Sequence, residues 1–278
     1  MARSREDSPP RWDIIHKDHV MGATATYIYC IVQAAQLPKA SRVPSGVAGG
    51  TRPSVVPLAR SLWLVLADVP LDVYGPGPLD ASLRDMAWVG NIAVSHEAVV
   101  EHFARRPRVT VIPMKLFTMF SSLERAVADM RSRVSDIRMV ARRIAGCEEW
   151  GVRMTRTGPQ PRARGRTALA ASGVAFLAAK KQARDTALEA GAAMAAAAER
   201  AFEALAAISR DAARRDDAPD GATAPPLLDA AFLVPASRRV RFKAAARRLA
   251  SETVRTGAEI TITGPWPAYN FVQSGSRA

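Results

Sequence analysis

The sequence has few cysteines and no long run of apolar residues, and both scarcities narrow the class of protein. Two cysteines, Cys30 and Cys147, occur in 278 residues, and neither belongs to a CxxC or Cys/His spacing that would bind a metal. The uncharged apolar runs 167–179 and 190–198 fall well short of the roughly 20 residues that span a bilayer. We therefore expect two reduced thiols in a cytoplasmic protein with no membrane span.

The N-terminus also lacks the uninterrupted apolar core of a secretory signal, because charges of both signs are spread through it. We expect residues 1–22 to form a disordered tail. The chain that follows is long enough to bury a core without a disulfide or a metal, and its length predicts one large or two ordinary domains.

Acidic residues are scarce relative to basic ones, which gives a net charge of +13. Such a charge usually suggests a polyanionic partner such as nucleic acid. However, 33 of the 39 basic residues are arginine in an alanine-rich chain, a bias that GC-rich coding alone would produce. Aromatic residues are not spaced as stacking platforms within the basic blocks 153–166 and 238–248. The pattern favours a solvated basic face or a basic protein-docking surface over a nucleic-acid site.

Residues 23–145 are predicted to form an N-terminal α+β domain. Its predicted strands, rich in β-branched and aromatic residues, are 25–32, 62–69 and 109–117. Its predicted helices, in which apolar residues recur every three or four positions, are 79–89, 95–105 with Ser95 as N-cap, and a long one that Ser121 or Ser122 begins and Gly146 ends. Residues 36–57, which hold several prolines, glycines and serines, are predicted to be a loop.

Residues 146–278 are predicted to form a second α+β domain. Predicted strands are 148–155, 227–235 and 259–264, and predicted helices are an alanine-rich one at 168–214 and a basic one at 237–255. Strands and helices alternate, which is most of a ferredoxin-like split unit with one helix greatly extended.

Two features of this second domain could bind a partner. Along the alanine-rich helix, Met194, Ala198, Ala201 and Leu205 recur at spacings of four and three, as in a coiled-coil seam. Such a seam either packs on its own domain or offers a face to a partner helix. The closing aromatic residues Trp266, Tyr269 and Phe271 either fill the core or form an exposed anchor.

The sequence contains no convincing catalytic, cofactor or metal motif. His96, Glu97 and His102 lack the i, i+4 spacing of a helical ligand pair and a third ligand, so a capped surface helix is the preferred interpretation. The glycine-rich segment 45–50 lacks the Gly-Lys-Ser/Thr ending of a phosphate loop. No Ser/His/Asp or Cys/His set can be assembled. We expect no enzyme activity, no cofactor and no metal site.

Six blocks follow one another along the chain: YIYCIV, VIPMKLFTMF, GCEEWGVRM, ASGVAFLAAKKQAR, AAFLVP and ITITGPWPAYNFV. Together they resemble the gas vesicle protein GvpL/GvpF family over residues 25–272. The closing GPWP element at 264–267, followed by Tyr269 and Phe271, is the most specific of them. The family's middle block usually reads Pro-x-Arg-Phe-Gly-Thr, whereas in 113–118 the arginine is lysine and the glycine is absent. Without that glycine we expect no positive φ in the block.

The resemblance implies a non-enzymatic α+β protein of two domains that is needed, with small hydrophobic shell proteins, for gas vesicle formation. The implied partners are the shell subunit and other gas vesicle accessory proteins, and the implied location is the gas vesicle and the cytoplasm. From the residues alone, a basic nucleic-acid-binding regulator remains the alternative, which salt-dependent retention on DNA would reveal.

Overall fold

The computed structural model describes residues 23–157, 173–215, 225–254 and 256–272. The chain is α+β, and it separates into two compact units between Arg143 and Ile144. The predicted tail at 1–22 and the predicted start of the alanine-rich helix at 168–172 lie outside the described residues.

The first unit is built on an antiparallel sheet. Its strands are β1 (Thr24–Gln33), β2 (Ser54–Ala59), β3 (Leu62–Pro70) and β4 (Thr110–Pro113), in the order β2-β3-β1-β4, and a two-residue strand β5 (Met119–Phe120) also pairs with β1. Nearly every residue of β1 is buried. This strand therefore lies at the centre of both the sheet and the core.

Five helices complete the first unit: α1 (Leu71–Tyr74), α2 (Pro76–Ser82), α3 (Met86–Ala104), α4 (Leu123–Ser132) and α5 (Val134–Ile144). Helix α3 packs against β1 and β4, and α4 packs against β2 and β5. The Ser122 hydroxyl accepts a hydrogen bond from the Arg125 amide at 3.3 Å, as predicted for an N-cap. The helix predicted to follow it is interrupted at Arg133, whose φ of −108° and ψ of 17° are not helical.

The predicted helix boundary at Ser95 is wrong. Helix α3 begins after Asp85, whose carboxylate accepts hydrogen bonds from the amides of Ala87 at 2.9 Å and Trp88 at 3.2 Å. Ser95 lies inside the helix, where its hydroxyl donates to the Asn91 carbonyl at 2.9 Å. A serine inside a helix can satisfy its hydroxyl in this way, so the residue type alone does not distinguish a cap from an interior position.

Three other expectations for this unit are corrected. The last residues of the predicted loop 36–57 belong to β2, and the strand predicted over 109–117 ends at Pro113. Positive φ does occur in the block that lacks glycine: Phe117 has a φ of 61°. Its ring is parallel to that of Trp88 at a centroid distance of 5.8 Å, so packing holds the unfavourable backbone conformation.

The second unit contains six main elements in the order β-α-β-β-α-β. They are β6 (Cys147–Arg156), α6 (Gly173–Ala206), β7 (Asp211–Arg214), β8 (Leu228–Pro235), α7 (Arg239–Val254) and β9 (Ala258–Trp266). The strands are antiparallel in the order β7-β8-β6-β9, and short 3₁₀ turns lie at Ala236–Arg238 and Tyr269–Phe271. Helices α6 and α7 pack against each other, with α6 on β8 and α7 on β9 and β8.

The alanine-rich helix ends eight residues earlier than 168–214 predicts, because residues 211–214 form β7. The Arg210 amide donates to the Leu233 carbonyl at 2.8 Å and the Arg215 amide donates to the Asp229 carbonyl at 2.8 Å, so the chain is held along β8. Tertiary pairing of this kind overrides the helix propensity of the two alanines within the strand.

Candidate functional site

The second half of α6 contributes to the core of its own unit. Ala198, Ala201 and Leu205 are at most 1% exposed and belong to a cluster that includes Phe232 and Phe242. The sheet and α7 cover them, which leaves no surface for a partner. Of the two interpretations of the seam, these three residues therefore fit packing on their own domain, which corrects them as partner-binding candidates, while Met194 is half-buried.

The same face of α6 continues beyond the core and is uncovered. The spacing of four and three that runs through the buried residues extends towards the N-terminus through exposed positions: Phe176, Ala179, Ala183, Ala187 and Ala190. Residues 176–193 are almost all exposed, a length of roughly 27 Å at 1.5 Å per residue. We call residues 176–193 the α6 arm.

Large apolar side chains lie on the α6 arm. Phe176 is 59% exposed, Leu177 is 65% exposed and Leu188 is 62% exposed. Lys180, and Arg184 one turn further on, lie beside them and are also exposed. Phe176 lies on the strip of small residues, whereas Leu177 and Leu188 lie more than about 100° further around the helix, beyond the two basic residues. The strip is therefore apolar and made mostly of alanine, which permits close approach, and basic residues border it.

The closing aromatic residues are divided between core and surface. Phe271 is 1% exposed, Tyr269 is half-buried, and Trp266 is 42% exposed at the end of β9. The segment is anchored by Glu149, whose carboxylate accepts hydrogen bonds from the Asn270 amide at 2.8 Å and from its side-chain Nδ2 at 2.5 Å. Phe271 is thus a core residue, and Trp266 is the exposed member of the three.

Burial raises the pKa of the Glu149 carboxyl, while the hydrogen bonds from Asn270 and the charge of Arg215 act in the opposite direction.

A second buried carboxylate, Asp229, is held by Arg153, with Nε at 2.8 Å, and by Arg215, with Nη2 at 2.6 Å. Sequence reasoning missed these partners because nothing in the pattern connects residues so far apart in the chain.

His96, considered from the sequence with Glu97 and His102 as a possible metal site, lies in the core of the first unit. His96 is 3% exposed, and its Nδ1 is 2.8 Å from the Tyr27 hydroxyl oxygen, so the interpretation of a surface helix is wrong at this position. Burial lowers the pKa of His96 to about 4, against a smaller opposing contribution from the Met114 backbone. Among the described residues, no group of three or more His, Cys, Asp or Glu side chains could hold a metal ion.

A family model described as gas vesicle synthesis protein GvpL/GvpF matches residues 25–273, most of the chain. The chain belongs to the GvpL/GvpF family. It is accordingly a gas vesicle protein, as the six blocks predict. Comparison with curated protein sequences gives no significant match.

Two solved structures share the fold of this GvpL/GvpF chain. Gas vesicle protein GvpF from Anabaena sp. PCC7120 matches with a TM-score of 0.64 and 14% identity, covering 91% of this chain and 98% of its own. Gas vesicle protein GvpF from Microcystis aeruginosa matches with a TM-score of 0.62 and 11% identity, covering 90% and 99%. At these identities the likeness concerns the fold.

The GvpL/GvpF chain has no helix, within the residues that the structure describes, that is long and apolar enough to cross a membrane. Although α6 is 34 residues long, lysine, arginine, aspartate and glutamate interrupt it, and its uncharged stretches are short. Trp266 is the exposed aromatic residue among the candidates from the sequence, and the α6 arm is an exposed apolar feature that the structure adds.

Proposed function

We propose that this protein is a non-enzymatic gas vesicle assembly protein that binds the hydrophobic shell subunit through the α6 arm. Family membership supports a role in gas vesicles, and the uncovered apolar strip of the arm is the observation that carries the choice of partner.

A shell subunit must expose apolar surface before it polymerises, and such a surface aggregates unless it is covered. The α6 arm offers an apolar face about five turns long, with Phe176 standing out from the small residues Ala179, Ala183, Ala187 and Ala190. Burying apolar area yields roughly 25 cal/mol per Å², so a face of this length can hold an amphipathic segment. The alkyl stems of Lys180 and Arg184 can cover its border while their charges stay in water.

Two variants test the proposal: each places one negative charge on the exposed part of α6, one on the apolar strip and one on another side of the helix. Ala187→Glu lies on the strip, whereas Ala192→Glu is also exposed but lies about 140° around the helix axis. Both variants should fold, because neither alanine is buried. We expect Ala187→Glu to reduce co-purification with the shell subunit at least about tenfold, since binding would remove water from the new carboxylate against an apolar partner. Equal capture by both variants would contradict binding through this face.

We further propose that the second unit is a ferredoxin-like domain. The order β-α-β-β-α-β and the antiparallel strand order β7-β8-β6-β9 support this assignment, with α6 as the extended helix. Residues 23–145 would then form the N-terminal domain, and the protein would act in the cytoplasm together with other gas vesicle accessory proteins.

A further inference from the structure

In the described part of the chain, the two sheets have five outer strands, and four of them are protected against pairing with another chain; one of these, β5, has only two residues. Strand β2 contains Pro57, and β4 has four residues and ends in Pro113. Strand β7 also has four residues, with charges at Asp211 and Arg214. Proline, short length and charge are the devices by which proteins normally block an exposed sheet edge.

Strand β9 carries little of this protection. It has nine residues and pairs with β6 on one side, with no strand on its other side in the described part of the chain. Its only charged residue is Glu259, and its only proline, Pro265, comes next to last. The side chains of Thr261 and Thr263 are exposed, so the face of the sheet on which they lie is open to solvent beside this edge.

The hydrogen-bonding groups on the open side follow from the register. The Thr157 amide donates to the Gly257 carbonyl at 2.9 Å, and Arg153 lies opposite Thr261. In an antiparallel ladder, bonded pairs alternate, so the odd-numbered residues of β9 bond to β6. The even-numbered residues, among them Ile260 and Ile262, turn their N–H and C=O groups outwards, where a further strand could bond to them.

The surroundings of this edge are basic and aromatic. Helix α7, which packs on β9, has five basic residues and one acidic residue, Glu252. Arg239 and Arg248 form ion pairs with Glu148 and Glu252, so the surplus positive charge comes from Arg241, Lys243 and Arg247. The Lys243 ammonium lies 5.6 Å from the ring centroid of Trp150 on the neighbouring strand, and Arg247 is exposed one turn further on. Trp266, at the end of the strand, is 42% exposed. The edge therefore suits a partner with negative charge and some apolar surface.

We propose that the outer edge of β9 binds an extended, acidic segment of a partner protein as a fifth strand of this sheet. The backbone of Ile260 and Ile262 supplies the hydrogen bonds, and the positive charge of α7 selects acidic side chains. A second copy of the chain fits less well, because two-fold pairing of β9 would bring two basic α7 helices together. This surface is separate from the α6 arm, so either proposal can fail without the other.

The first test uses the full chain and a fluorescein-labelled nonapeptide, Glu-Val-Thr-Val-Glu-Val-Thr-Val-Glu, in a fluorescence anisotropy titration. We expect saturable binding that weakens as salt is raised, and affinity at least about tenfold lower for the peptide with lysine in place of glutamate. No binding by the acidic peptide at millimolar concentration, or equal binding by both peptides, would overturn the proposal.

The second test separates strand addition from simple charge attraction. N-methylation of one alternating set of peptide amides blocks bonds to β9, whereas methylation of the other set places the methyl groups towards solvent. We expect one methylated peptide to lose about tenfold or more in affinity and the other to keep its affinity within about twofold. Equal behaviour of the two methylated peptides would show that no strand is added.

Protein variants complete the experiment. Arg247→Gln should weaken binding of the acidic peptide several-fold, whereas Arg84→Gln, an exposed arginine in the first unit, should leave the affinity unchanged. Equal effects of these two variants would remove the assigned role of α7. Self-association in sedimentation velocity that Thr261→Lys abolishes would assign the edge to a second copy instead, and displacement of the peptide by a DNA oligonucleotide would assign the surface to nucleic acid.

Discussion

The two units of this chain arrange their four main strands in the same way but join them differently. In both sheets the first strand of the unit is central and the second lies at one edge, in the orders β2-β3-β1-β4 and β7-β8-β6-β9. In the first unit, the connection between the first two strands is loop over residues 34–53, whereas in the second it contains the 34-residue helix α6. A common sheet therefore tolerates very different crossovers, and the longer one supplies exposed surface.

The cores of the two units also differ in polarity. In the first, the buried rings of Tyr27 and Tyr29 pack against His96, Tyr74 packs against Tyr27, and the three hydroxyls are hydrogen-bonded. In the second, alanine is the commonest buried residue between sheet and helices, and Phe232 and Phe242 pack among the alanines. A buried polar cluster makes stability depend on protonation, whereas an alanine-rich core depends on tight packing against small residues. The two units should therefore respond to different perturbations.

The largest expected effect is the loss of the second unit by a single charge in its packed helix. Ala201→Glu places a carboxylate at a position that is 0% exposed, with no cation to pair it. We expect a loss of about 4 kcal/mol in the free energy of unfolding, measured by urea denaturation. Ala187→Glu, on the exposed arm of the same helix, should change it by less than about 0.5 kcal/mol. Similar losses in the two variants would mean that the arm is also packed.

The second prediction concerns acid, to which the first unit should be sensitive through His96. The folded pKa of about 4 lies below the ordinary value of 6.5, so the folded state holds the neutral ring. Its contribution to stability is complete above about pH 6.5 and is lost as the pH falls towards 4, by about 3 kcal/mol in all.

Denaturation midpoints between pH 7 and pH 4 measure this loss, and His96→Gln should flatten the dependence. Glu149 in the second unit provides the contrast. Its pKa is raised in the folded state, so protonation of this group favours folding as the pH falls. If probes specific to each unit showed the same pH profile, these two groups would not control the response.

Strand patterns predicted much of the fold because alternation and β-branched residues are local signals. The segments 25–32 and 62–69 are strands β1 and β3 almost to the residue. Helix ends were less predictable: Asp85 and Ser95 both resemble caps, and only the packing of α3 decides between them. Residues 211–214 were predicted as helix, because local propensity does not show that they pair with β8 in the folded chain.

The candidate site was predictable only in part. The periodicity of α6 placed Ala201 on the apolar face of the helix that is buried in the core, but it did not show the point at which α7 and the sheet cease to cover that face. The bonds from Asn270 to Glu149 cross 121 positions of sequence and leave no local pattern. The resemblance to a family singled out the closing segment without showing which of its rings is buried.

A smaller effect is expected at Phe117, where a bulky residue has a φ of 61°. Replacement by glycine relaxes the backbone but removes the ring that is parallel to Trp88, whereas replacement by alanine removes the ring and keeps the strain. We expect Phe117→Gly to be more stable than Phe117→Ala by about 1 kcal/mol in chemical denaturation. An alanine variant as stable as the glycine variant would show that the strain is absent. The second unit should be unaffected by either change.

The smallest expected effect lies in the closing segment, where neighbouring aromatic rings have opposite environments. Trp266 is 42% exposed, so Trp266→Ala should lower the free energy of unfolding by less than about 1 kcal/mol, because much of its surface is already in water. Phe271, which is 1% exposed, is the matched control, and Phe271→Ala should cost about 3–5 kcal/mol. Thermal denaturation of the two variants measures the difference. If Trp266→Ala were as destabilising as Phe271→Ala, Trp266 would be part of the core, and the open edge of β9 would lose its aromatic anchor.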